Sequence, residues 1–180
     1  LGMPGAQKLK DLSALQGMPL TRLNLAFNSQ ISDLSALKGM PLTNLYLSHC
    51  NGITDVSPLQ GMPITELVID HAPVDDLKPL AGMPLIRLLV GGSPKLRDLS
   101  PLKGMLLVQL GLHHCPNVSD LSPLRDMPLT ELSLGDFAVK DLTPLAGMKL
   151  IQFGISGSAP FTDLSPLKGM PITNLNLQGC

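Results

Sequence analysis

Residues 33–54 read DLSALKGMPLTNLYLSHCNGIT, and this stretch recurs along the chain with small changes of wording. Its leading aspartate returns as Asp11, Asp33, Asp55, Asp76, Asp98, Asp120, Asp141 and Asp163, in steps of 22, 22, 21, 22, 22, 21 and 22 residues. A fixed period of this size is the signature of a solenoid, in which each repeat packs only on its neighbours. Within the stretch, Leu42, Leu45 and Leu47 are spaced as L-x-x-L-x-L. Leu45 and Leu47 alternate as a half-buried strand requires, so the residues between them face outward. The other half, Asp-Leu-Ser-Pro-Leu-x-Gly-Met-Pro in its commonest form, has a capping Asp or Ser and Pro at a first helical position. A Gly follows to end the turn. About one helical turn fits between them, and a 3₁₀ turn suits that length.

The L-x-x-L-x-L ladder resembles the strand segment of leucine-rich repeats. The Asp-Leu-Ser-Pro-Leu phrase resembles the 22-residue repeats of bacterial internalin-like proteins, and the copies bearing Cys50, Cys115 and Cys180 resemble the cysteine-containing subclass. The resemblance covers roughly residues 6–180 and implies an α/β repeat solenoid. That is a right-handed leucine-rich-repeat arc with a parallel concave β-sheet inside and short 3₁₀ turns on the convex side. It also implies that the residue three after the last strand Leu turns inward to bond loop backbone. That ladder reads Asn28, Cys50, Ala72, Ser93, Cys115, Phe137, Ser158 and Cys180. The Gly-Met-Pro element departs from the internalin pattern, so no partner is carried over.

A second period lies inside the first. The three cysteines are 65 residues apart, and so are the two 21-residue repeats. Thr65-Glu66-Leu67 matches Thr130-Glu131-Leu132, which fits duplication of a three-repeat block. Every third loop lacks one residue, so the edge following the strands should tighten with that rhythm. The whole of 1–180 reads as one domain of eight repeats. Residues 1–10 read as an irregular start or the remnant of a preceding repeat, with Leu9 at an inward position and Gly2-Met3-Pro4 out of phase. Neither end shows a polar cap, so the open strand at residues 172–177 leads to one of two expectations: end-to-end self-association, or further chain covering residues 163–180 in a longer parent protein.

The net charge is −1, which offers no basic face to nucleic acid. No apolar run approaches the ~20 residues of a membrane span. Aromatic residues are 3% of the chain, so Leu and Met must fill the core. Cysteines three repeats apart stand about 14 Å apart on parallel strands, beyond disulfide reach. Eight methionines share one inward position and read as core. The aspartate column reads as a set of local backbone caps. His49, His71 and His114 share one position after the strand, with Asp70 and His113 one place earlier. His49 and His71 lie on adjacent strands near Asp70, and a metal-binding pair there is a remote alternative to plain surface. No nucleophile with a partnered base, phosphate-cradling loop or converging carboxylate pair is present. The chain reads as no enzyme, with no cofactor and no catalytic or metal residues.

The outward columns vary while the inward ones repeat. The first reads Arg22, Asn44, Glu66, Arg87, Gln109, Glu131, Gln152, Asn174; the middle reads Asn24, Tyr46, Val68, Leu89, Gly111, Ser133, Gly154, Asn176. The third runs from Ala26 through Ser48, Asp70, Gly91 and His113 to Gln178. Tyr46, Val68 and Leu89 form an apolar ridge flanked by Arg22, Glu66, Arg87 and Asp70, with His113 one strand further. An apolar strip within a polar rim is how interface cores are built. The expected function is therefore protein or peptide binding on the concave face, as a module of a larger bacterial protein. The alternative is a structural spacer or assembly element.

Overall fold

The computed structural model describes residues 9–136, 138–157 and 161–180. The expectations for Gly2-Met3-Pro4 and for Phe137 and Ser158 on the inward ladder fall outside these residues. Eight strands follow one another in a single parallel sheet, in chain order: β1 (Arg22–Asn24), β2 (Asn44–Tyr46), β3 (Glu66–Ile69), β4 (Arg87–Gly91), β5 (Gln109–His113), β6 (Glu131–Gly135), β7 (Gln152–Ser156) and β8 (Asn174–Asn176). The register aligns the first and middle columns from Arg22 to Asn174 and from Asn24 to Asn176, as the repeat spacing requires.

A 3₁₀ turn of three residues precedes each strand, formed by Ser-Pro-Leu or a close variant. Its start is held by the repeat aspartate. Asp33 Oδ1 accepts the backbone N–H of Ser35 at 2.8 Å, and Asp55, Asp98, Asp120, Asp141 and Asp163 do the same for the residue two ahead. These local bonds let a column of like charges coexist. In Asp33, Asp141 and Asp163, hydrogen bonds first from the backbone and then from the hydroxyl of that residue hold the carboxyl below its ordinary range. The turn ends in the left-handed region, where Gly104 has φ +76°. In the one copy without glycine, Asp126 takes the same place at φ +62°. The turn geometry thus overrides the side chain, and Asp carries the strain that Gly avoids.

The core lies between the sheet and the turns. Leu45, Leu67, Leu88, Leu110 and Leu132 of the strands, and Leu37, Leu59, Leu80, Leu102 and Leu124 of the turns, are all buried. Six methionines from Met40 to Met148 fill the same layer, whereas Met18 is 40% exposed and Leu9 42%. The inward assignment fails for these two because no described residue packs over them. Leu164 and Leu175 at the β8 end are exposed for the same reason.

The inward ladder works as the repeat pattern implies. Asn28 Nδ2 donates to the Leu25 carbonyl at 2.9 Å, and Cys50 Sγ reaches the same oxygen at 3.0 Å. Ser93 Oγ donates to Ala72 O. Cys50 and Cys115 are buried and free, and burial pushes the Cys115 thiol up to about 11. Cys180 is free but exposed. One of the two shortened loops lies within the described residues, and it is tighter than the others. Ile31, Ile53, Leu96 and Val118 each bond the carbonyl three residues back, but in the shortened repeat Val74 N–H bonds Ala72 O, two back, at 2.7 Å.

Candidate functional site

The concave face is built from the side chains that alternate with the core leucines. On β2–β4 these side chains are tied to one carboxylate. Glu66 Oε2 accepts from Asn44 Nδ2 at 2.7 Å and from the Tyr46 hydroxyl at 2.8 Å, while Glu66 Oε1 pairs with the Arg87 guanidinium. Partial burial pushes the Glu66 carboxyl up, but the bonds from Tyr46, Arg87 and Asn44 outweigh it and leave the group below its ordinary value. The same bond, with burial and the nearby negative charge, raises the Tyr46 phenol. Glu66 therefore stays ionised, and it holds Tyr46 and Arg87 in place on either side of itself.

Of the residues read from sequence as the binding face, Tyr46, Val68 and Leu89 are brought together as register neighbours in the middle column. Val68 is only 7% exposed, however, so the crest of the ridge is carried by Tyr46 and Leu89. The outward assignment of Val68 holds for direction but not for access, because larger side chains flank it on both strands. Arg22 is exposed on β1, where its charge acts on the Tyr46 hydroxyl. In the sequence Asn44 is only one member of a column. Its role at Glu66 depends on side-chain reach across strands, which spacing does not encode.

Asp70 and His113 sit apart from this cluster. The Asp70 carboxylate lies over Gly91, where a Cβ would run into Asp70 Oδ1. Oδ1 is buried without a hydrogen-bond partner, while Oδ2 stands 3.0 Å from His71 Nδ1. The His113 ring occupies space left by two glycines: a Cβ on Gly111 would lie 3.3 Å from its Nε2, and one on Gly135 3.1 Å from its Nδ1. Burial lowers the His113 pKa, with the Asp70 charge opposing.

Beyond Leu89 the surface opens into a trough of about 510 Å³. Its floor includes Gly111, Ser133 and Gly154, and its wall carries Gln109, Gln152 and Asn174. Carboxamides both donate and accept, and the missing side chains admit a backbone at close range.

The histidine edge differs from a converging pair. Phe27, His49 and His71 stack along the sheet edge, with centroids 4.7 Å and then 4.3 Å apart and interplanar angles of 14° and 22°. Face-to-face rings direct their nitrogen lone pairs alongside one another, so His49 and His71 do not aim at a common point. Among the described residues, no group of three or more His, Cys, Asp or Glu is arranged to hold a metal ion. Nor is any described helix long and apolar enough to cross a membrane.

No protein-family model and no curated protein matches the chain. Among solved structures, an internalin C2 from Listeria monocytogenes is similar at 31% identity with a TM-score of 0.76, over 81% of this chain and 66% of that one. An internalin F from the same organism has a TM-score of 0.57 at 19% identity, over 92% of this chain and 70% of that one, which is a likeness of fold. The chain thus spans about two thirds of the length of the internalin C2 it matches.

Proposed function

The chain is a leucine-rich-repeat protein of the bacterial, internalin-like kind, and from that premise we propose that it binds a protein or peptide on its concave face. Tyr46 and Leu89 are the anchors, and the β5–β8 trough takes the partner's backbone. One observation carries this reading: Glu66 holds Tyr46 and Arg87 in fixed positions on an accessible surface, whereas the core needs nothing from either. Side chains already ordered before contact lose less freedom on binding. An aromatic and an Arg at the centre of a concave patch also match the residue types that dominate interface energetics.

The test is a displayed pool of random peptides selected on the folded chain. Peptides so enriched should lose about 2 kcal/mol or more of binding, roughly thirtyfold, when Tyr46→Ala is combined with Leu89→Glu. Unchanged affinity in a folded double variant would remove this face from consideration.

A further inference from the structure

We infer that His71 and His114 form a two-imidazole site for a divalent transition cation of the zinc class, bridging the edge of the sheet over Gly92. The site is independent of the concave surface and of its partner.

All three residues hold one repeat position, the left-handed residue just after the strand, with φ +57° at His71, +69° at Gly92 and +51° at His114. Adjacent strands are about 4.8 Å apart, so two intervals would separate the flanking rings by about 10 Å if both stood upright. Instead the centroids lie 5.9 Å apart at an interplanar angle of 66°. The rings lean toward each other across the residue that has no side chain. A Cβ at Gly92 would come within 3.1 Å of His71 Cα.

The second observation concerns the nitrogens. His71 Nδ1 is 3.0 Å from Asp70 Oδ2, and His114 Nδ1 is 2.5 Å from Asp136 Oδ2. A carboxylate accepts the Nδ1 proton and so leaves Nε2 with a free lone pair in the neutral ring. This is the arrangement found behind metal-bound histidines, where the carboxylate fixes the tautomer and strengthens the ligand. With Zn–N near 2.0–2.1 Å, two imidazoles sharing one ion have centroids about 5–6 Å apart, which matches the pair here. Imidazole suits Zn²⁺, Cu²⁺ and Ni²⁺ over the hard cations. Asp70 Oδ1, buried and unpartnered, leaves negative charge nearby that a cation would offset. Two protein ligands make the site exchangeable, with water in the remaining positions. His49 stacks on the far side of His71 and supplies no ligand.

The experiment is calorimetric titration of the chain with Zn²⁺ in a Cys180→Ser background, because that thiol is exposed and could bind zinc itself. One ion per chain is expected. His71→Asn and His114→Asn keep a side chain that tolerates the left-handed backbone, and each should weaken binding at least tenfold. Asp136→Asn should weaken it by roughly tenfold, the scale of a lost carboxylate behind a ligand. His49→Asn should retain the stoichiometry and most of the affinity. Nitrogen-detected NMR of the unsubstituted histidines gives an independent reading, with Nε2 of His71 and His114 shifting on zinc addition. Absence of saturable binding, binding that survives loss of either histidine, or ring nitrogens that do not move would each overturn the assignment.

Discussion

The two halves of the concave sheet share one core and differ on their surface. Under β2–β4 lie Leu45, Leu67 and Leu88, and under β5–β7 lie Leu110, Leu132 and Phe153, all buried. Above them, the first half carries Tyr46, Val68 and Leu89 bound into a cluster by Glu66, while the second carries Gly111, Ser133 and Gly154. A repeat protein built this way keeps its stability below the sheet and its specificity above it. Packing demands a large apolar residue at each inward strand position, and the outward positions are free to diverge.

The largest effects should not distinguish the halves. Leu67→Ala and Leu110→Ala each remove a buried side chain and leave a cavity, and each should cost about 2–5 kcal/mol in denaturant unfolding. A large gap between them would mean that the shared core is not shared energetically. The next effect is confined to the first half. Glu66→Ala leaves Tyr46, Asn44 and Arg87 without their acceptor, and since the cluster is partly solvated, about 1 kcal/mol of stability should go with it. Changing the matching Glu131 to Ala should cost less, because no described side chain bonds it. Equal losses would contradict the special standing of Glu66.

In the second half, Gly111→Ala places a Cβ 2.6 Å from Leu89 Cδ2. The Leu89 tip can move, so stability should fall by only about 1 kcal/mol or less, but Leu89 should tilt into the trough and reduce peptide affinity. A variant with unchanged affinity would place the partner away from the junction of the halves. On the convex side, Asp126→Gly relieves the left-handed strain and should stabilise the fold by about 0.5–1 kcal/mol, read as a shift in denaturant midpoint.

The pH response should also divide the halves. His113, on β5, has a folded pKa below 6.5. The unfolded chain therefore takes up its proton first as pH falls. Its contribution is intact above pH 6.5 and declines as pH drops from there toward the folded value. Glu66, on β3, has a folded pKa below 4.5, so its contribution is intact above pH 4.5 and is lost as pH falls from there through the folded value. Titrating the stability of His113→Gln against Glu66→Gln should show the two losses in separate windows, the histidine's at the higher pH.

The period and the L-x-x-L-x-L spacing carried most of the fold. They placed all eight strands, their register, the turn at each Ser-Pro-Leu and the shortened loop at Ala72–Val74, because these follow from backbone geometry repeated in step. The site was legible only as columns. Spacing could put Tyr46 beside Glu66, but it could not say that Asn44, Tyr46 and Arg87 all reach one carboxylate. It could not show Val68 sinking between larger neighbours. It set His49 beside His71 but not whether the rings would converge or stack, and it passed over the approach of His71 to His114 across Gly92. All of these depend on side-chain rotamers and on what a missing Cβ leaves open.

The most direct test of the account is the affinity of a pool-selected peptide for three forms of the chain: unsubstituted, Tyr46→Ala with Leu89→Glu, and Ser133→Ala. A loss of roughly thirtyfold is expected in the double variant and a much smaller loss at Ser133, with the same circular dichroism in all three. Equal affinity for all three, or a larger loss at Ser133, would contradict it.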